Sequence, residues 1–202
     1  MIRKLRNILG NGKVQSVEEK IPLVIFKLEA GLVRLDKMST VLIKEDQELF
    51  EKCVEARLRN DYPHAVMYAN ECVEIRKITH MLVSSKYALE QMVLRLQTIM
   101  KLGDIFVTIS PVVDVIKQTR SRLVGLVPSV ASSLTEANQI LDKCMESMGT
   151  SQMGETKQIL CSEDTMKVLK EADTAAENVL REKFPKIPET TDDLREREML
   201  ST

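Results

Sequence analysis

The chain has 202 residues and a net charge of −1, with no Trp, 3% aromatic residues and only 7 Gly. Leu, Met, Lys and Glu are plentiful, which favours long helices and argues against a sheet-rich or compact catalytic fold. The near-zero net charge identifies no partner, but its distribution is informative: residues 1–44 hold 9 Lys or Arg against 4 Asp or Glu (+5), and residues 145–202 hold 8 against 13 (−5). A basic front and an acidic back can attract each other within one molecule, and the front can also attract an anionic surface.

Residues 1–10, MIRKLRNILG, interleave Ile2, Leu5, Ile8 and Leu9 with Arg3, Lys4 and Arg6. As a helix this is short, amphipathic and basic, suited to the interface of an anionic membrane; the plainer alternative is a frayed terminus with solvated charges. Asn11-Gly12 is expected to break it. The arm that follows carries Lys13, Lys20, Lys27 and Arg34 at seven-residue intervals, a basic strip predicted to lie on the outer surface opposite the apolar seam.

That seam is Ile21, Ile25, Leu28, Leu32, Leu35, Leu42, Leu49, Cys53 and Ala56, on alternating three- and four-residue steps interrupted by Ser39 and Asp46. A second arm repeats the step with Tyr68, Cys72, Ile75, Leu82, Leu89, Val93, Leu96 and Met100, broken at Thr79 and Lys86. Between them Asn60-Asp61-Tyr62-Pro63 predicts a tight reversal, with Asn60 or Asp61 capping the next helix and Pro63 in its first turn. The hairpin spans about residues 20–102 and forms a rod on the order of 60 Å long. A single seam per helix leaves Leu23, Val24, Phe26, Val33, Val41 and Ile43 without cover, so later helices, further copies or lipid must supply it.

Gly103 ends or bends the second arm, Ser110-Pro111 opens another helix, and Gly125 and Pro128 punctuate again; these four glycines and prolines are the expected hinges. Ser133 with Glu136 reads as a capping box for the following helix. Residues 149–162 have linker composition, and residues 163–183 form a distal helix with Leu169, Ala172, Ala176, Val179 and Leu180 on one side. Because alanines dominate that stripe, its docking is expected to be reversible. In FPKIPE, two prolines three apart favour an extended strip that presents Phe184 and Ile187 outward. Residues 190–202 are polar and predicted disordered.

Cys53, Cys72, Cys144 and Cys161 are too scattered for a metal clip, and the first two lie on the seams, so they read as reduced core residues of a cytosolic protein. No run approaches the ~20 apolar residues needed to cross a bilayer. There is no glycine-rich phosphate loop, nucleophile elbow or His-carboxylate cluster. His64 and His80 read as structural, and the 11 Met as adaptable filler at helix contacts. No enzymatic activity, cofactor, metal or small-molecule substrate is expected.

The order of these parts resembles the ESCRT-III family, and within it the archaeal cell-division members, the CdvB group. The likeness covers the basic hairpin, the segment GDIFVTISPVVDVIKQTRSRLVGLVPSVASSL, the distal helix and FPKIPE. It implies an all-α fold: a long antiparallel hairpin, then shorter helices and a distal regulatory helix. Residues 1–12 form the membrane-binding segment, 13–148 the helical core, 163–183 an autoinhibitory helix and 184–189 a MIT-interacting motif. By the same resemblance Phe184, Pro185, Ile187 and Pro188 dock the MIT domain of a AAA ATPase, and the chain co-assembles with itself and with ESCRT-III paralogues. Anionic lipid is then the expected contact of Ile2, Arg3, Lys4, Leu5, Arg6, Ile8, Leu9, Lys13, Lys20, Lys27 and Arg34, at the cytoplasmic face of the membrane and at the division site. A basic coiled coil that binds nucleic acid, or a scaffold that does not polymerise, is the alternative reading of the same strip.

Overall fold

The computed structural model describes residues 11–102, 109–147 and 163–185, with side chains from Glu19 onward. The described elements are all helices: α1 (Asn11–Leu58), α2 (Tyr62–Leu102), α3 (Ile109–Leu123), α4 (Pro128–Ser147) and α5 (Glu163–Lys183). Helices α1 and α2 form the expected antiparallel hairpin, and the 48 residues of α1 make a rod about 70 Å long. Asn11 and Gly12, expected to break the amphipathic pattern ahead of the arm, are the first residues of α1, and residues 1–10 lie outside the described residues.

The two seams pack as their spacing requires. Ile21, Ile25, Leu28, Leu35, Cys53 and Ala56 are buried on α1, against Cys72, Ile75, Leu82, Leu89, Val93 and Leu96 on α2. Each fully buried Leu contributes about 1.5–3 kcal/mol relative to an exposed one. Met100 departs from the pattern and is exposed. The seam breaks are satisfied locally or across the pair. Ser39 Oγ donates to the Asp36 carbonyl at 2.9 Å and Thr79 Oγ1 to the Ile75 carbonyl at 2.8 Å. Lys86 Nζ reaches Asp36 Oδ1 at 2.5 Å.

At the tip the sequence left two capping residues open, and each has its own job. Asn60 takes the left-handed backbone conformation (φ 57°). Its N–H donates to the Arg57 carbonyl at 3.0 Å, and that of Asp61 donates to the Ala56 carbonyl at 2.9 Å. These two bonds close α1 as a Schellman motif. Asp61 then caps α2, accepting the His64 backbone N–H at Oδ1 (3.4 Å).

Helix α3 packs on α2, and α4 packs on both α1 and α3, which turns the open half of the hairpin into a four-helix layer with one continuous core. Val24, expected to lack cover, is fully buried in this core. Val130 of α4 comes so close to Gly31 that a Cβ there would stand 3.4 Å from its Cγ1, which is why a small residue suits this crossing. Helix α4 starts at Pro128, so Ser133 is not a cap: its hydroxyl donates one turn back to the Ser129 carbonyl at 3.1 Å. Of the expected hinge positions, Pro111 lies in the first turn of α3, Gly125 and Pro128 flank the α3–α4 turn, and Gly103 is outside the described residues.

Pro22 lies inside α1. It has no amide hydrogen to offer the Glu18 carbonyl, and its ring crowds that carbonyl, so the ladder is interrupted one residue after Ile21. Ile21 is the first core residue of α1 among the described side chains.

Candidate functional site

At 100° per residue, Leu23, Phe26, Val33 and Val41 share one arc of α1 roughly 80° wide. They are 47%, 66%, 69% and 56% exposed. Ile43, also expected to lack cover, is half-buried. The four open side chains form an apolar stripe along the rod that no described element covers. Part of it borders a shallow groove lined by Leu32, Val33, Lys37, Val41 and Lys86.

The basic strip does not face away from the other helices as its spacing suggested. On the helix wheel Lys20, Lys27 and Arg34 fall between the α4 contact and the apolar stripe. Lys27 Nζ reaches Glu136 Oε2 of α4 at 2.5 Å, and Arg34 Nη1 donates to the Ser129 carbonyl at 3.5 Å. Burial pushes the Cys144 thiol of α4 upward, and the charge of Lys20 partly opposes it. The strip is therefore a border, half engaged by α4. The Lys13 side chain, along with Ile2, Arg3, Lys4, Leu5, Arg6, Ile8 and Leu9, lies outside the described residues.

A second constellation holds α5 on the rod. Thr165, Leu169, Ala172 and Ala176 form its buried side, and the helix packs mainly on α2 and also on α3. Midway along it, Asp173 meets both neighbours: Ser84 of α2 hydrogen-bonds Asp173 Oδ1, and Arg122 Nη1 of α3 donates to the same oxygen at 2.9 Å. Burial pushes the Asp173 carboxyl up, but the hydrogen bonds from Ser84 and Arg122 and the charges of Arg122 and His80 outweigh it, so its pKa lies below the ordinary value.

Farther along, α5 runs toward the hairpin tip, with Leu180 beside Val73, Lys77, His80 and Met81. Phe184, expected to point outward, is turned in. Its N–H donates to the Leu180 carbonyl at 2.9 Å, its ring lies 5.0 Å from the Arg76 guanidinium, and it is only 9% exposed. The helical hydrogen bond and the cation–π contact together defeat the extended conformation that the prolines favour. Pro185 is exposed; Ile187 and Pro188 lie outside the described residues.

The chain is 36% identical over 189 residues to Cell division protein B1 of Sulfolobus acidocaldarius, an alignment covering 89% of this chain and 86% of that protein. It belongs to the CdvB group of the archaeal ESCRT-III family. Cell division protein B of the same organism is 25% identical over 199 residues, covering 98% of this chain and 76% of that protein. No protein-family model and no solved structure matches it.

In this ESCRT-III family member the residues that sequence reasoning missed are Ser84, Arg122, Asp173 and Arg76, the last being the partner of Asp46. Asp46 alone left a signal, a carboxylate in an apolar seam, which demands a cation on the facing helix. Arg122 and Asp173 meet 51 residues apart through tertiary packing that no local pattern announces. Among the described residues no helix is long and apolar enough to cross a membrane, and no group of three or more His, Cys, Asp or Glu is placed to hold a metal ion.

Proposed function

We propose that this chain is a non-enzymatic filament subunit of cell division, which polymerises on the cytoplasmic face of the membrane and constricts or severs the membrane neck. The observation that carries this reading is the open stripe of Leu23, Phe26, Val33 and Val41 beside the basic border of Lys20, Lys27 and Arg34. Apolar area of this kind on a thin rod is stabilised when a neighbouring subunit covers it. The adjoining cations, with the basic amphipathic residues 1–10, suit acidic headgroups at about 1 kcal/mol per charge. The sequence relationship to Cell division protein B1 supports the setting.

In the same reading α5 is the cover of the idle subunit, clamped at Asp173, and the segments around Gly103, Pro111, Gly125 and Pro128 are where the shorter helices swing when it opens. Phe184, Pro185, Ile187 and Pro188 are the strip that the MIT domain of a AAA ATPase grips to pull subunits out. The ATPase supplies the energy for dismantling, so the subunit needs no catalytic residue or cofactor. Itself, its ESCRT-III paralogues and anionic lipid are its partners.

The test is co-sedimentation and electron microscopy with phosphatidylserine-containing vesicles. Concentration-dependent filaments or sheets on the vesicles, increased when residues 155–202 are removed, are the expected result. A chain that stays monomeric with and without those residues overturns the reading. Duplex DNA bound more tightly than vesicles at physiological salt would favour a nucleic-acid coiled coil instead.

A further inference from the structure

The row of α1 that carries Lys20, Lys27 and Arg34 does not keep its sign. The same seven-residue step continues it through Val41 to Glu48 and Glu55. Seven-residue steps hold to one side of a helix that coils about a partner, as α1 does with α2. The outer face of the rod is therefore basic in its first half and acidic in its second. It is apolar toward both ends, where Leu23 is 47% and Leu58 79% exposed.

Such a face is complementary to itself when turned end for end. About a two-fold axis between Thr40 and Val41, Leu23 meets the partner's Leu58 and Phe26 the partner's Val54, while Lys27 meets the partner's Glu55 and Arg34 the partner's Glu48. The like-charged meeting of Lys37 with the partner's Lys44 falls near the axis, where Glu48 already holds Lys44 at 3.6 Å. Two parallel copies in register would instead set Lys27, Arg34, Glu48 and Glu55 each against its own charge.

We propose that two copies of this chain pair antiparallel along the outer face of α1, about that axis, and so keep the open stripe covered in solution. The contact runs from Leu23 to Leu58, about 50 Å of helix. Because the pair is two-fold, one association satisfies both ends of both rods and then closes. A filament neighbour and the pair partner compete for Leu23, Phe26 and Val41, so the pair parts as a filament grows. That consequence rests on the filament reading; the pairing itself needs neither lipid nor ATPase.

The test is sedimentation velocity of the full-length chain without lipid. A dimer at low salt that weakens as salt is raised is the expected result. Arg34→Glu puts two like-charged contacts into the pair and is expected to weaken it about tenfold, as is Glu48→Arg. An equimolar mixture of those two variants is expected to recover the dimer, since each then meets its opposite charge. The register is read by oxidative cross-linking in a Cys161→Ser background, because Cys53, Cys72 and Cys144 are buried. Val41→Cys is expected to cross-link to itself, and Phe26→Cys only when mixed with Val54→Cys.

A chain that is monomeric at low salt at every concentration overturns the pairing, and filaments of that chain on acidic vesicles would leave the filament reading standing. Cross-linking of Phe26→Cys to itself overturns the antiparallel register. The expected dimer and cross-links without filaments on vesicles uphold the pair and overturn the filament reading instead.

Discussion

Asp46 and Arg76 face each other across the hairpin, 30 residues apart in sequence, joined by two hydrogen bonds with the carboxylate wholly shielded from solvent. Taking one partner away leaves a buried charge without compensation. Arg76→Ala is therefore expected to cost about 3–5 kcal/mol. The double change Asp46→Leu with Arg76→Met removes both charges and is expected to recover most of that loss. Urea unfolding of the three variants checks this; a double variant as unstable as Arg76→Ala would show that the charge is not the cause.

The clamp at Asp173 should respond to acid. Its carboxyl has a lowered pKa when α5 is docked and an ordinary one when α5 is free. The free state therefore takes up a proton first as pH falls. The clamp contributes fully above about pH 4 and is lost as pH drops through the docked-state value. At neutral pH Arg122→Ala should weaken docking by roughly 1 kcal/mol, a modest figure because both side chains are partly exposed and screened by solvent. Amide exchange across α5 should quicken several-fold while exchange in the hairpin stays as it was.

The open stripe separates assembly from folding. Phe26→Asp and Val33→Asp alter exposed positions and should change stability by no more than about 0.5 kcal/mol. They should nonetheless abolish filaments on acidic vesicles. Leu28→Ala, two residues from Phe26 but fully buried, should cost about 2–5 kcal/mol. Thermal unfolding and sedimentation on the same samples distinguish the two classes.

Asp114 makes the opposite prediction to Asp173. Burial raises its pKa, Lys117 opposes this and Asp142 adds to it. The folded state thus holds the proton more tightly than the unfolded one, and the charged form is a liability at pH 7. Asp114→Asn should raise the melting temperature at pH 7, with a gain that shrinks as pH falls through the raised value. A lower melting temperature for Asp114→Asn at pH 7 would contradict the assignment.

How much of this could be read from residues alone depends on the range of the cause. The three-and-four stepping of Ile21 through Ala56 and of Cys72 through Leu96 is a local periodicity, and both seams lie where it put them. The reversal at Asn60-Asp61 is likewise encoded by two residues whose side chains tolerate or cap a turn. What the pattern cannot carry is the choice among faces. Lys27 and Arg34 looked outward because a helix wheel knows nothing of α4, which supplies Glu136 and the Ser129 carbonyl. Val24 looked uncovered for the same reason. Phe184 was misread because two prolines speak for extension, while Arg76, more than one hundred residues earlier, speaks for a seat. The capping-box reading at Ser133 failed because Pro128 had already begun the helix.

Pro22 gives this molecule a mechanical property as well. The missing bond to Glu18 leaves the helical ladder of α1 one hydrogen bond short next to Ile21, the first described core residue of the rod. A rod that is one bond short has its lowest bending stiffness at that fixed place and not within the interlocked helices behind it.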